Sequence, residues 1–159
     1  MPDEPRGVAV RPGEGDARRN PIGGDFTFLA RGAETGGSLT ALESVVPPGS
    51  GPPVHVHADV DESIYLVDGA LRFKLGDELT EMPAGSYVFI PRGLPHAFHN
   101  AGESPVRLLV TFTPAGMEPF FEHMSQLTEL DPEEFRRAGA ENGMTVVGPP
   151  LRTAEQSSG

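Results

Sequence analysis

The chain has no cysteine, and a single lysine, Lys74, stands among its 12 basic residues. Without thiols there are neither disulfides nor thiolate ligands, so a metal held here must use nitrogen and oxygen donors. Bases are scarce as a class: 12 Lys and Arg face 23 Asp and Glu, for a formal net charge of −11. That balance argues against nucleic acid and anionic membranes as partners, since both are gripped through positive charge. Long apolar runs are missing too. None nears the ~18 residues of a membrane span, and residues 1–20 lack the apolar core of a secretory signal, so the expectation is a cytoplasmic protein. No internal period recurs that would mark a repeat array.

What is present reads as β structure. At 159 residues the chain is one domain by length and can bury roughly two-thirds of its unfolded surface. Residues 1–20, rich in Pro, Gly and charge, read as a flexible arm in which only Val8-Ala9-Val10 resembles a strand. From Phe26 the pattern alternates: Phe26–Ala30 and Ser38–Val46 read as strands around a turn at Glu34–Gly37. Ala70–Leu75 and Glu78–Met82 form a hairpin about Gly76-Asp77, a strong local signal for a two-residue connection. Tyr87–Ile90 leads through the turn Pro91-Arg92-Gly93 to a short strand opening at His96. Val106–Thr113 is the best strand by composition, with Leu108, Val110 and Phe112 on one face. Phe73, Tyr87, Phe89, Phe98 and Phe112 are taken as core, one or two of them lining a ligand cavity.

Two stretches carry the chemistry. His55 and His57 are two residues apart, so on a strand both imidazoles leave one face, about 6–7 Å apart, a gap that one metal ion can bridge. Glu62 follows the short acidic segment Ala58–Asp61, which can turn the chain and bring a carboxylate back toward the rings. If strands pair in sequence order, His96 returns to the sheet that carries these three. His99 faces away from His96, and His123 lies on a helical segment without a partner.

With their framing residues these positions resemble the two motifs of the cupin family. Gly49, His55, His57, Glu62 and Gly69 stand at the spacing of the first; Gly85, Pro91, Gly93, His96 and Asn100 stand at that of the second. The match runs without an insertion. The distance to Gly69 selects Glu62 over Asp59 and Asp61 as the motif's acid. The resemblance implies a mainly β chain, an RmlC-like jelly-roll β-barrel, holding one divalent transition metal (Fe, Mn, Ni, Co, Cu or Zn) through His55, His57, Glu62 and His96. It also implies a homodimer and a small-molecule substrate, with Glu62 as ligand, catalytic base or both. The glycines are read as turn requirements, and Asn100 as satisfying backbone groups at its strand end.

Past the motifs the signals turn helical. Glu118–Gln126 puts Phe120, Phe121 and Met124 near one face. A second helix has Asp131 as cap, Pro132 in its first position, Glu133 and Glu134 at its positive end, Leu130 stapling against Phe135, and Gly143 as its stop. The apolar faces are narrow, so the two short C-terminal α-helices are expected over the barrel mouth or a subunit boundary. The domain reading is therefore an arm over 1–20, a barrel over 21–115, a helical segment over 116–147 packed on the barrel, and a tail over 148–159.

The leading functional expectation from the resemblance is a quercetinase-like dioxygenase, with dioxygen as co-substrate. Two others stand beside it: a redox-neutral cyclase, isomerase or lyase of polyketide- or sugar-like substrates, and a non-catalytic small-molecule-binding cupin. A sugar epimerase fits less well because such barrels usually lack the metal, and a thiol dioxygenase because similar enzymes use three histidines without the glutamate.

Overall fold

In the computed structural model, which describes residues 4–151, eleven strands and three helices form two facing sheets. The first has the order β1 (Asp16–Arg18), β2 (Asp25–Ala30), β3 (Thr40–Val46), β10 (Val106–Thr113), β5 (Asp61–Asp68), β8 (Tyr87–Ile90). The second has the order β11 (Met144–Pro150), β4 (Pro53–His57), β9 (His96–His99), β6 (Leu71–Leu75), β7 (Glu78–Met82). All pairings are antiparallel. This is a jelly roll: the chain crosses between the sheets, and the inward residue of each period-2 repeat fills the space between them.

The core follows from that alternation. On β10, Val106, Leu108, Val110 and Phe112 point inward and are buried, opposed by Leu42 of β3 and by Ile64 and Leu66 of β5. Phe73, Phe98 and Leu71 come from the other sheet. Each such side chain contributes about 1.5–3 kcal/mol by leaving water. Gly69 closes the first motif at φ 86°, where a Cβ would lie 2.7 Å from Val106 Cγ2, so both backbone and neighbour demand glycine. Asn100 does what its position suggests: Nδ2 donates to the carbonyls of Val46 and Ser104, and Oδ1 accepts from the Gly102 amide.

Several expectations are corrected. Strands do not pair in sequence order: β5 joins the first sheet, while β4 and β9 lie side by side in the second. Tyr87 and Phe89 are not core; they are 61% and 53% exposed, because on β8 the inward places belong to Val88 and Ile90. Asp16–Arg18, inside the stretch read as an arm, pairs with β2. The first half of the turn expected at Glu34–Gly37 belongs to a one-turn helix, α1 (Gly32–Thr35), stopped by Gly36 at φ 64°. Residues 144–150 form β11 against β4, where the sequence suggested the end of a helical segment and a tail; positions 152–159 of that tail lie outside the described residues.

The helices are α2 (Glu118–Met124) and α3 (Pro132–Glu141). Asp131 caps α3, its carboxylate accepting from the Glu134 amide, but Leu130 is 67% exposed. His123 does have a partner: Nε2 lies 3.1 Å from Glu134 Oε2 and ties α2 to α3. On its other side α2 is fastened to the first sheet. Arg31 Nη1 donates to Glu122 at 2.6 Å, and Glu118 accepts from Thr40 and from the Gly32 amide. No helix of the described residues is long and apolar enough to cross a membrane.

Candidate metal centre

β4 and β9 lie antiparallel, with His55 directly opposite His96, and strand alternation keeps His57 on the same inward face. The bend at 58–60 carries the chain to the opposite sheet. There β5 presents Glu62 inward while Asp61 turns away to pair with Arg92. The acid thus faces the three imidazoles across the interior. Ligand atoms from His55, His57, Glu62 and His96 all lie within 4.8 Å of one another, and all four residues are buried. Glu62 Oε1 is 3.2 Å from His96 Nε2 and 3.3 Å from His57 Nε2.

The rings are oriented from behind. His55 Nδ1 donates to the Pro53 carbonyl at 2.8 Å, and His96 Nδ1 to that of Leu94 at 2.9 Å. With the proton on Nδ1, each Nε2 keeps a lone pair for a cation. His57 has neither ring nitrogen hydrogen-bonded although both are buried, a cost that a bound ion would relieve at one of them. Three nitrogens and a carboxylate fit a divalent transition metal and leave coordination positions for a substrate. The cluster can therefore hold one metal ion, and its donors do not select which.

Electrostatics point the same way. Burial, aided by the neighbouring His96 and His57, pulls the His55 pKa down to about 3, so this ring stays neutral. Burial alone would push the Glu62 carboxyl up, but the His57 and His96 rings outweigh it and hold the acid well below its ordinary range. Burial likewise opposes charge on His96, yet the Glu62 carboxylate prevails and raises that pKa above its usual 6.5. A cation that binds beside Glu62 must displace whatever proton His96 Nε2 holds, and the raised pKa favours that proton at lower pH. Metal titration in two buffers of different ionisation enthalpy is expected to report release approaching about one proton per ion below the raised His96 pKa, and less above it. Acidification should accordingly weaken metal binding. His55, already neutral, adds nothing to the release.

Beside the donors lies a cavity of about 70 Å³, lined by His55, His57 and Glu62 together with Phe98 and Phe112, two of the five aromatics taken from the sequence as core. Phe120 and Phe121 of α2 and Phe135 of α3 also line it, from helices expected over the barrel mouth or a subunit boundary but not assigned to a cavity, and Ser44 and Asn20 add polar atoms. The adjacent phenylalanines of α2 were the available signal.

Residues 42–112 match the family model of the cupin domain. The fold and donor set agree with it. The chain belongs to the cupin family. Among relatives, this cupin is 32% identical over 117 residues to quercetin 2,3-dioxygenase of Bacillus subtilis, covering 73% of this chain and only 34% of that protein. It is 27% identical to polyketide synthase CurC of Streptomyces cyaneus, covering 76% of this chain and 77% of that one. The solved RmlC-like cupin of Shewanella frigidimarina superposes with a TM-score of 0.58 at 21% identity, over 70% of this chain and 96% of the other, a likeness of fold.

Proposed function

We propose that this cupin is an enzyme that binds one divalent transition metal at His55, His57, Glu62 and His96 and acts on a small oxygen-rich organic molecule as a dioxygenase of the quercetinase kind. The observation that carries the reading is the buried meeting of three imidazoles and one carboxylate beside an apolar cavity that Glu62 also lines. The likeness to quercetin 2,3-dioxygenase supports the oxidative form.

When bound, the ion supplies Lewis-acid polarisation of a substrate oxygen. The protein's own groups do the rest. The carbonyls of Pro53 and Leu94 hold the His55 and His96 rings in register. Phe112, Phe120 and Phe121 keep water out and lower the local dielectric, which strengthens the pull of fixed charges on a developing enolate or phenolate. Glu62, held ionised, takes a proton from a substrate hydroxyl at its carboxylate.

A second reading has its own support. The chain spans about three-quarters of CurC but about a third of quercetin dioxygenase, which favours redox-neutral cyclase, isomerase or lyase chemistry on a polyketide-like substrate at the same centre. Oxygen-electrode traces from protein reconstituted separately with Fe, Mn, Co and Ni separate the two. Dioxygen consumed in step with a flavonol is expected for the dioxygenase; conversion of a polyketide-like substrate that proceeds equally under nitrogen would overturn it in favour of the second reading. Saturable binding with no turnover under any loading would make the protein a binding module.

A further inference from the structure

The cavity at the metal centre is too small for an aromatic substrate. About 70 Å³ of water-accessible space holds only roughly five to seven water-sized groups, at ~10–15 Å³ each. A second, larger space adjoins it. Ile22 and Phe135 line both, and on their far side a groove of about 520 Å³ opens between α3 and β11, within the ~300–1,000 Å³ of small-molecule sites. Most of its wall is apolar, from Leu130, Val146 and a run of prolines.

Besides Ser50, two polar groups break that wall. His99 is 7% exposed, and its Nε2 is buried with no hydrogen-bond partner. Burial and the Arg72 charge lower its pKa, so the ring is neutral and offers one donor and one acceptor. Arg136 lies on the rim; among the described residues it makes no hydrogen bond or ion pair, whereas its neighbour Arg137 is paired with Glu134. In a chain of net charge −11, an unpaired guanidinium beside an apolar groove is a local positive field.

We propose that this outer groove binds the apolar body of the molecule whose oxygen end meets the metal centre, and that the ligand is an apolar acid with a carboxylate or acidic enol at Arg136 and a hydroxyl or carbonyl at His99. The assignment of that oxygen end rests on the metal-enzyme reading above. Ile22 and Phe135, which line both spaces, stand where the body of that molecule meets its reacting end.

Two fluorescent probes of one shape test the groove in full-length, metal-free protein: anilinonaphthalenesulfonate, whose sulfonate stands in for the carboxylate, and uncharged N-phenylnaphthylamine. Both are expected to bind saturably. Arg136→Glu, at an exposed position with circular dichroism as fold control, should weaken the sulfonate at least about tenfold, the size of one lost charge-assisted contact, and leave the neutral probe unchanged. Equal effects on both probes, or no saturable binding, would overturn the groove. So would loss of binding in Phe89→Ser, which would move the probes to the exposed aromatics of β8.

The link to the centre is read by NMR. Manganese-loaded protein should broaden the resonances of the bound sulfonate probe, and Arg136→Glu should reduce the broadening in step with the weakened binding. Probe binding without broadening in protein that holds manganese would detach groove from centre. Failure to take up manganese would count against the metal reading alone, while the metal-free titrations still decide the groove.

Discussion

His96→Ala is expected to lower metal affinity more than ~100-fold, since removing a partner merely behind a ligand already costs about 10–100-fold. His96 sits 1% exposed at the middle of the cluster, with Nδ1 fixed by Leu94 and Nε2 turned to Glu62. Alanine removes a donor that no neighbour replaces. His99 lines the outer groove, and Asp61 is bound to Arg92. His55→Ala should behave alike, because its ring is neutral and its Nδ1 is likewise held from behind. Neither change should unfold the chain. The β4–β9 ladder is made by backbone, and the core on β10, β3 and β5 is untouched, so the cost is that of a cavity, ~2–5 kcal/mol for large-to-small changes, against the intact remainder. Elemental analysis after identical loading, with circular dichroism beside it, checks both. Stoichiometric metal in both folded variants would mean that the ligands lie elsewhere.

Much of this arrangement is legible in the sequence, for a physical reason. A strand of period 2 states which residues share a face, so His55 with His57, and Leu108 with Val110 and Phe112, can be grouped from spacing alone. Glycine at left-handed positions marks the turns, which is why the frame around both motifs is readable. Which strands become neighbours is a long-range property that no local pattern encodes. Hence the expectation that Glu62 shares a sheet with the histidines, where it in fact crosses to the facing one. The same limit hid β11: Met144–Pro150 carries three residues of Gly and Pro at its end, and only β4 beside it makes it a strand. Tyr87 and Phe89 misled differently. Aromatic character favours a strand but does not say which face of it is buried, and Val88 and Ile90 took the core. The partner of His123 and the phenylalanine wall of α2 and α3 depend on helix docking, which the narrow apolar faces only hinted at.

Glu62→Gln separates holding the metal from moving a proton. The amide keeps the shape and one oxygen donor but loses the charge and the basic site. Metal affinity should fall by about 10-fold or less, well short of the histidine changes, whereas turnover should fall by ~10²–10⁴, the usual contribution of a positioned base. The environment makes the comparison sharp. Glu62 is 6% exposed and faces rings that keep it ionised, so the wild-type carboxylate is unprotonated across the neutral pH range. The sign follows. A carboxyl whose pKa is held down stays a base as pH falls until that low pKa is reached, so an acid limb seen near neutrality in the wild type belongs to His96 and metal loading, not to Glu62. The variant lacks the carboxylate that raises the His96 pKa, so its limb should move to lower pH while the plateau of kcat falls and KM changes little. A fall in rate that tracks lost metal one for one would leave Glu62 as a ligand only, and an unchanged kcat would leave the proton to be taken by another group. The separation matters because Oε1 already lies within 3.3 Å of two imidazoles. A carboxylate committed to a cation by one oxygen still has a second with which to meet a substrate hydroxyl, so the two roles are compatible in one side chain and only their loss in different proportions distinguishes them.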